Sequence, residues 1–344
     1  LSVGIVKDPL YLEHITDDYH PECPERLSRI YSMLPSIDKT GIVYVAPRMA
    51  THEEVAFVHD AQYIERISAT RGMASVRLDP DTSASPRTFE AALLAAGGTL
   101  SLADSILSGG TECGFALVRP PGHHAERSRA MGFCIFNNIA IAARYLQRSK
   151  GLKKVLIVDF DLHHGNGTQH CFYSDPTVLY FSTHQFPYYP GTGWYEETGE
   201  GEGKGYTANV PLSYGMNDDD YLFVFREVLV PLADLFKPEM ILVSAGFDTH
   251  RDDPLGGMSV TEEGYSAMTG VLLDIAKKHC RGMALFALEG GYDLAGLVSS
   301  TKAVIMKMKG EPAFDYEGRG NPCRGVVDAV GNIKRVLGPY WGPF

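Results

Sequence analysis

No uninterrupted apolar stretch in this chain approaches the roughly 20 residues that cross a bilayer, and no basic segment leading into an apolar one stands at its start. A membrane span and a secretory leader are therefore not expected, and the reading is of a cytoplasmic protein; the start at Leu1 rather than Met leaves a removed leader open. Cysteine is scarce. Six residues, at 23, 113, 134, 171, 280 and 323, show no Cys-x-x-Cys spacing, which excludes a dense disulfide framework and fits free thiols in a reducing compartment. Positive charge is in deficit, with 31 Lys and Arg against 42 Asp and Glu and a net charge of -11. That balance opposes a nucleic-acid surface, which needs clustered cations to displace counterions. It suits a cationic partner better, although charge of this sign also serves solubility alone. No internal repeat and no low-complexity tract interrupts the chain.

What is present is an ordinary globular composition: 344 residues, 44% hydrophobic and 21% charged, enough to bury a large core. Apolar runs at 3–6, 114–118, 154–159, 178–182, 240–244 and 283–288 read as strands, several apolar throughout, as strands covered on both faces must be. Between them, 24–34, 86–107, 137–147, 218–235, 261–278 and 294–308 carry apolar residues at three- and four-residue spacing and read as helices. Pro24 and Pro86 suit the first helical turn, and Thr261 with Glu262 and Glu263 suits a helix start. The alternation predicts one α/β domain over 1–344, a three-layer arrangement with a mostly parallel central sheet and helices on both faces. Stretches 191–205 and 311–323 fall outside the core. A last helix over 325–337 lies in a peripheral segment, 310–344.

Four polar clusters each follow an apolar strand, at the end where open α/β sheets place their ligand crevice: RPPGHH (119–124), DFDLHHGN (159–166), AGFD (245–248) and EGGYD (289–293). If the strand persists through the second cluster, Asp159, Asp161 and His163 point to one side while Phe160 and Leu162 enter apolar packing. A metal ion is the economical reason to gather carboxylates and an imidazole at an apolar strand end, since unpaired buried carboxylates carry a large desolvation cost. Asp248 completes the set, and two carboxylates with one imidazole leave a zinc ion an open position, as in catalytic sites. Such a run also occurs as helix caps and surface ion pairs. Pro120, Pro121 and Gly122 make a rigid turn that aims His123 and His124 at the crevice, and Gly290 and Gly291 let the chain turn so that the Tyr292 hydroxyl enters it.

These residues carry a resemblance. HPECPER (20–26), FEAA (89–92), RPPGHH, GFCIFNN (132–138), DFDLHHGNGTQ, DPLGG (253–257) and EGGYD, in this order and spacing, resemble the histone deacetylase and acetylpolyamine amidohydrolase family of the arginase–deacetylase fold. The resemblance implies a hydrolase that removes an acetyl group from an amine nitrogen. It implies one Zn2+ per chain held by Asp161, His163 and Asp248, His123 and His124 as the acid–base pair, and Tyr292 polarising the acyl carbonyl. Two aspartates offset the charge of zinc, so its water is acidified less than in an all-histidine site and a protein base must help. His124 fits that task. Asp159 is expected to hold His123 charged.

Asn166 stands where many class I-type members carry an aspartate paired with the second histidine, which places the chain nearer the class II-type members and predicts a lower pKa for His124. The resemblance further implies an acyl tunnel walled by Gly132, Phe133, Tyr188 or Tyr189, with Leu255 where polyamine-selective members have a carboxylate near the mouth. That tilts the reading toward acetyl-lysine of a protein or peptide, with an acetylpolyamine as the alternative if Asp79, Asp81 or Asp252 supplies the charge. A monovalent cation such as potassium is also implied, using Asp159, Asp161, His163 and Ser182, with a second near Phe172 and Tyr206. A two-metal, arginase-like hydrolase needs further bridging carboxylates, and a non-catalytic acyl-lysine binding module predicts loss of the ligand trio, the His pair or the tyrosine. The oligomeric state is not legible.

Overall fold

In the computed structural model, which describes residues 2–312, 314–320 and 322–344, ten strands form. They are β1 (Val3–Val6), β2 (Ile42–Tyr44), β3 (Val76–Asp79), β4 (Thr82–Ala84), β5 (Cys113–Ala116), β6 (Val155–Asp159), β7 (Val178–Gln185), β8 (Thr207–Leu212), β9 (Met240–Ala245) and β10 (Ala284–Leu288). Eight of them make one parallel sheet in the order β2-β1-β5-β10-β9-β6-β7-β8, and β3 and β4 pair separately as an antiparallel hairpin. Every residue of β6, β9 and β10 is buried, which the runs VLIVD, MILVSA and ALFAL allow because neither face offers a polar side chain to water until the strand ends. The chain is a single α/β domain with this sheet at its centre.

The order places the chemistry. β5, β10, β9 and β6 are consecutive neighbours, and RPPGHH, EGGYD, AGFD and DFDLHH follow these four strands in turn. Four clusters far apart in sequence therefore meet at the carboxyl edge of the middle of the sheet.

Departures from the expected elements have local causes. The edge strand β2 and the hairpin β3–β4 are three or four residues long and only partly buried, too short for a periodic signal. β8 was hidden by the proline at 211. The expected helix over 218–235 divides into Asp218–Val224, a π turn Phe225–Leu229 and Val230–Phe236. Pro231 has no N–H and its ring would press on the carbonyl four residues back, so the helix widens just before it. Pro24 sits at the cap position of Glu25–Met33, and Pro86 lies before Arg87, the cap of Thr88–Leu107, so neither is in a first turn.

Helix Thr88–Leu107 has the length and mean hydropathy, 1.2, of a bilayer-crossing segment, but most of it is packed inside the molecule. Stretch 191–205 holds one 3-10 turn, Gly201–Gly203, and is otherwise irregular. Within 311–323, residues 313 and 321 lie outside the described residues and the others are irregular. The last helix, Arg324–Trp341, is longer than expected; it buries Val326, Ala329, Val330, Ile333 and Leu337, and Trp341 Nε1 donates to the Gly205 carbonyl at 2.7 Å.

Candidate active site

Asp161, His163 and Asp248 offer ligand atoms that all lie within 4.8 Å of one another. His163 Nδ1 is 3.2 Å from Asp161 Oδ1 and 3.0 Å from Asp248 Oδ2. Backbone donors fix the carboxylates: His163 N and Gly290 N donate to Asp161, and Leu162 N donates to Asp248, each at 2.9 Å. A side chain on Gly290 would meet Asp248 Oδ2 at 2.3 Å, so only glycine lets the backbone come this close. The alternation expected for 159, 161 and 163 ends with β6 at Asp159. Beyond it the backbone folds onto the carboxylates of Asp159 and Asp161, so Asp159 turns to His123 while Asp161 and His163 join Asp248; Phe160 and Leu162 are buried as expected.

His123 and His124 lie with ring centroids 4.0 Å apart and have opposite surroundings. His123 Nδ1 is 3.1 Å from Asp159 Oδ2, which also accepts from the Tyr180 hydroxyl, and His123 Nε2 is 3.7 Å from Asp161. Burial alone would lower its pKa, but the charges of Asp161 and Asp159 outweigh burial and raise it well above the ordinary value, which favours the charged ring. His124 is held well below the ordinary value, by burial first and then by the neighbouring His123 and His163. Its Nδ1 is 2.8 Å from Asn166 Oδ1. An amide oxygen only accepts, so His124 Nδ1 carries the proton and Nε2 keeps its lone pair. The two adjacent rings are thus pushed in opposite directions, one toward the charged and one toward the neutral form.

Tyr292 stands on the other side of the cluster. Its backbone N–H donates to Asp253 Oδ2 at 2.6 Å, its ring packs edge-on to Phe133 at 5.8 Å, and the Arg26 guanidinium lies 4.9 Å from its centroid. Burial raises its pKa well above the ordinary value; Arg26 opposes this and Asp248 adds to it, so the phenol stays protonated and can donate. Tyr188 stacks on His163 at 5.6 Å, Tyr189 meets His124 edge-on at 5.1 Å, and the Tyr188 hydroxyl donates to the Leu255 carbonyl at 2.8 Å. Both tyrosines thus pack beside His163 and His124, while Phe133 packs on Tyr292. Gly132 N donates to Asp81 and Phe133 N to Thr82, so hairpin β3–β4 and the turn between its strands hold these two residues. Asp79 faces Arg129 at 3.9 Å, and Asp252 is exposed beside Arg251.

Ser182 pairs in register with Asp159 across β6 and β7, its hydroxyl on His184. Phe172 ends helix Asn166–Phe172 under the Arg144 guanidinium, and Tyr206 packs on Trp341 at 5.1 Å. A second buried group, His123, Cys134 and Glu289, also has ligand spacing. There Glu289 accepts from Gly122 N, His123 N and the Ser244 hydroxyl, so its oxygens are occupied by protein donors rather than bridging a second ion.

Sequence reasoning quoted Glu22, Arg26, Arg119 and Asp253 within motifs without giving them tasks. Glu22 bridges Arg26 and Arg119, all fully buried, and burial opposed by Arg119 leaves its pKa at about 2. Arg26 then donates to the carbonyls of Gly291 at 2.7 Å and Glu289 at 2.6 Å, which fixes the turn carrying Tyr292.

The histone deacetylase domain family matches residues 20–308. A probable deacetylase of Archaeoglobus fulgidus is 37% identical with 100% of each chain covered. The polyamine deacetylase HDAC10 of Danio rerio is 39% identical over 94% of this chain and 49% of its own length. The crystal structure of the HDA15 HD domain superposes with a TM-score of 0.92 at 39% identity, covering 99% of this chain and 95% of that one. With most of its length inside the family's domain and the acid, imidazole and phenol groups assembled at the edge of the sheet, the chain belongs to the histone deacetylase family.

Proposed function

We propose that the protein is a zinc-dependent deacetylase acting on acetyl-lysine side chains of proteins or peptides. The observation that carries this reading is the convergence of Asp161, His163 and Asp248 beside a neutral imidazole, an imidazolium and a protonated phenol. The donor set fits a divalent cation: two buried carboxylates raise His163 to about 9 against the effect of burial, a local excess of negative charge that such an ion neutralises. Zinc held there polarises the acyl carbonyl and acidifies a water molecule.

The chain's own groups do the rest. His124 Nε2 takes the proton of the attacking water and returns one to the departing amine. The Tyr292 hydroxyl donates to the acyl oxygen as negative charge develops on it. His123, held by Asp159, is the fixed positive charge beside both. Tyr188, Tyr189 and Phe133 give a slim aliphatic linker flat apolar walls, and Leu255 brings no charge to the mouth. A monovalent cation such as potassium near Asp159 and Ser182, with another near Phe172 and Tyr206, is part of the same proposal, as is a cytoplasmic location, which the six free thiols favour.

An acetylpolyamine is the second reading, favoured by Asp81 at the backbone of Gly132 beside the tunnel wall and by relatives named polyamine deacetylases. Acetate release by zinc-loaded protein from an acetyl-lysine peptide and from an N-acetylpolyamine, compared as kcat/KM, separates the two. Peptide preference supports the first, polyamine preference the second, and release from neither sinks the deacetylase assignment.

A further inference from the structure

The amide of Asn166 does more than accept from His124. Its Nδ2 donates to Glu126 Oε1 and lies 3.4 Å from the His124 carbonyl. Glu126 Oε1 also receives His170 Nδ1 at 2.8 Å, and its backbone is tied to Arg129 by Glu126 N donating to the Arg129 carbonyl at 2.9 Å. The chain of contacts therefore runs His124, Asn166, Glu126, His170, from the buried imidazole to a half-exposed one at a cavity of about 360 Å³ lined by Glu126, Arg127, Arg144 and His170.

An asparagine can face an imidazole with either end of its amide. If the NH2 group faced His124 Nδ1, that nitrogen would have to accept, the proton would move to Nε2, and the ring would have no lone pair toward the reacting water. Everything on the far side of Asn166 is an acceptor, and Glu126 is the charged one. Turning the amide would set its oxygen against that carboxylate. An aspartate at 166 would have no such ambiguity, since both its ends accept; an asparagine needs a second residue to choose its orientation.

We propose that Glu126, braced by His170, is the positioning residue that orients Asn166 and thereby fixes His124 in the tautomer with Nε2 free. An amide does not pass protons along, so Glu126 sets the orientation and does not conduct. The role rests on His124 being the base of the deacetylase reading, but the tautomer is measurable without turnover.

The test uses zinc-loaded full-length protein labelled with 15N-histidine, with the His124 signals assigned by their loss in His124→Phe. Long-range 1H–15N spectra of wild type are expected to show a protonated Nδ1. Glu126→Ala is expected to shift His124 toward the Nε2-protonated form and to lower kcat by roughly 10- to 100-fold, as loss of a supporting hydrogen bond does, with KM near that of wild type. Glu126→Gln keeps an acceptor oxygen at the same place and is expected to restore both. Should the alanine variant fail to fold, Glu126→Met retains the volume without an acceptor and reads the same effect. An unchanged His124 tautomer in a folded Ala or Met variant overturns the proposal, as does a Gln variant as impaired as either. If wild type releases no acetate, the deacetylase reading fails while the spectra still decide the role of Glu126.

Discussion

Burial first, and then the neighbouring His123 and His163, hold His124 below its ordinary pKa; the hydrogen bond to Asn166 works against them, but an amide gives the imidazolium no counter-charge as a carboxylate would. The acidic limb of kcat/KM reports that protonation. Asn166→Asp is expected to stabilise the imidazolium and move the limb to higher pH, by about one unit as a nearby carboxylate does. Glu126 faces the new carboxylate, and two adjacent carboxylates share a proton, so the full shift is expected in Asn166→Asp combined with Glu126→Gln. A limb that stays in place in the double variant would mean that a carboxylate at 166 does not stabilise the His124 imidazolium. Tyr292→Phe keeps the packing on Phe133 and Arg26 and loses only the donor. Its kcat is expected to fall about 10²- to 10³-fold, as with other oxyanion donors, at an unchanged Tm. The convergence of Asp161, His163 and Asp248 was legible because carboxylates at an apolar strand end are costly to bury unpaired, while the roles given to these residues, the His pair and the tyrosine came from the resemblance. Glu22, Arg26 and Asp253 were legible only as motif letters: Arg26 meets the Gly291 carbonyl 265 positions away, and no local pattern reports such a contact.

At the scale of elements, the central strands declared themselves through apolar runs that end in a polar cluster, and the long helices through their periodicity. What escaped was held by neighbours rather than by propensity: β2 by pairing with β1, β8 by pairing with β7, and hairpin β3–β4 by its hold on residues 132 and 133. The loop from Met131 to Asn137 shows why that hold matters. Gly132 has φ +56 and Phe133 φ +67, and a Cβ on Gly132 would stand 2.3 Å from His124 Cδ2. Gly132→Ala is therefore expected to be strained twice, by its backbone and by the ring. It should cost about 1–3 kcal/mol of stability and, because the ring that yields is the base of the proposed mechanism, lower kcat more than it raises KM. Denaturant unfolding with steady-state kinetics on the same preparation checks both. A variant with the wild-type kcat would show that His124 does not depend on this loop.

For the molecule as a whole, the carboxyl edge of the sheet collects more negative charge than its own cations balance, and folding has to bring those charges together. In protein stripped of metal by a chelator, His163 is the cation between Asp161 and Asp248. Burial lowers its pKa, but its hydrogen bonds to Asp161 and Asp248 carry it to about 9 against an ordinary 6.5. A group whose folded pKa is raised contributes stability that is fully present below its unfolded pKa and is lost as pH rises through the folded one. The metal-free protein is thus expected to lose up to about 3 kcal/mol between pH 6.5 and about 9. Asp248, raised to about 7 by burial and by Asp161, acts in the same direction but almost wholly below this window. On the proposed reading zinc would require a neutral His163 and supply the positive charge itself, so the loaded protein would lack this dependence and zinc binding would release a proton. The difference in Tm between zinc-loaded and chelator-treated protein is therefore expected to widen as pH rises across this window, and to vanish in Asp248→Asn. Thermal unfolding of both forms at a series of pH values measures it. A difference that stays flat or narrows would mean that these three residues do not hold the ion.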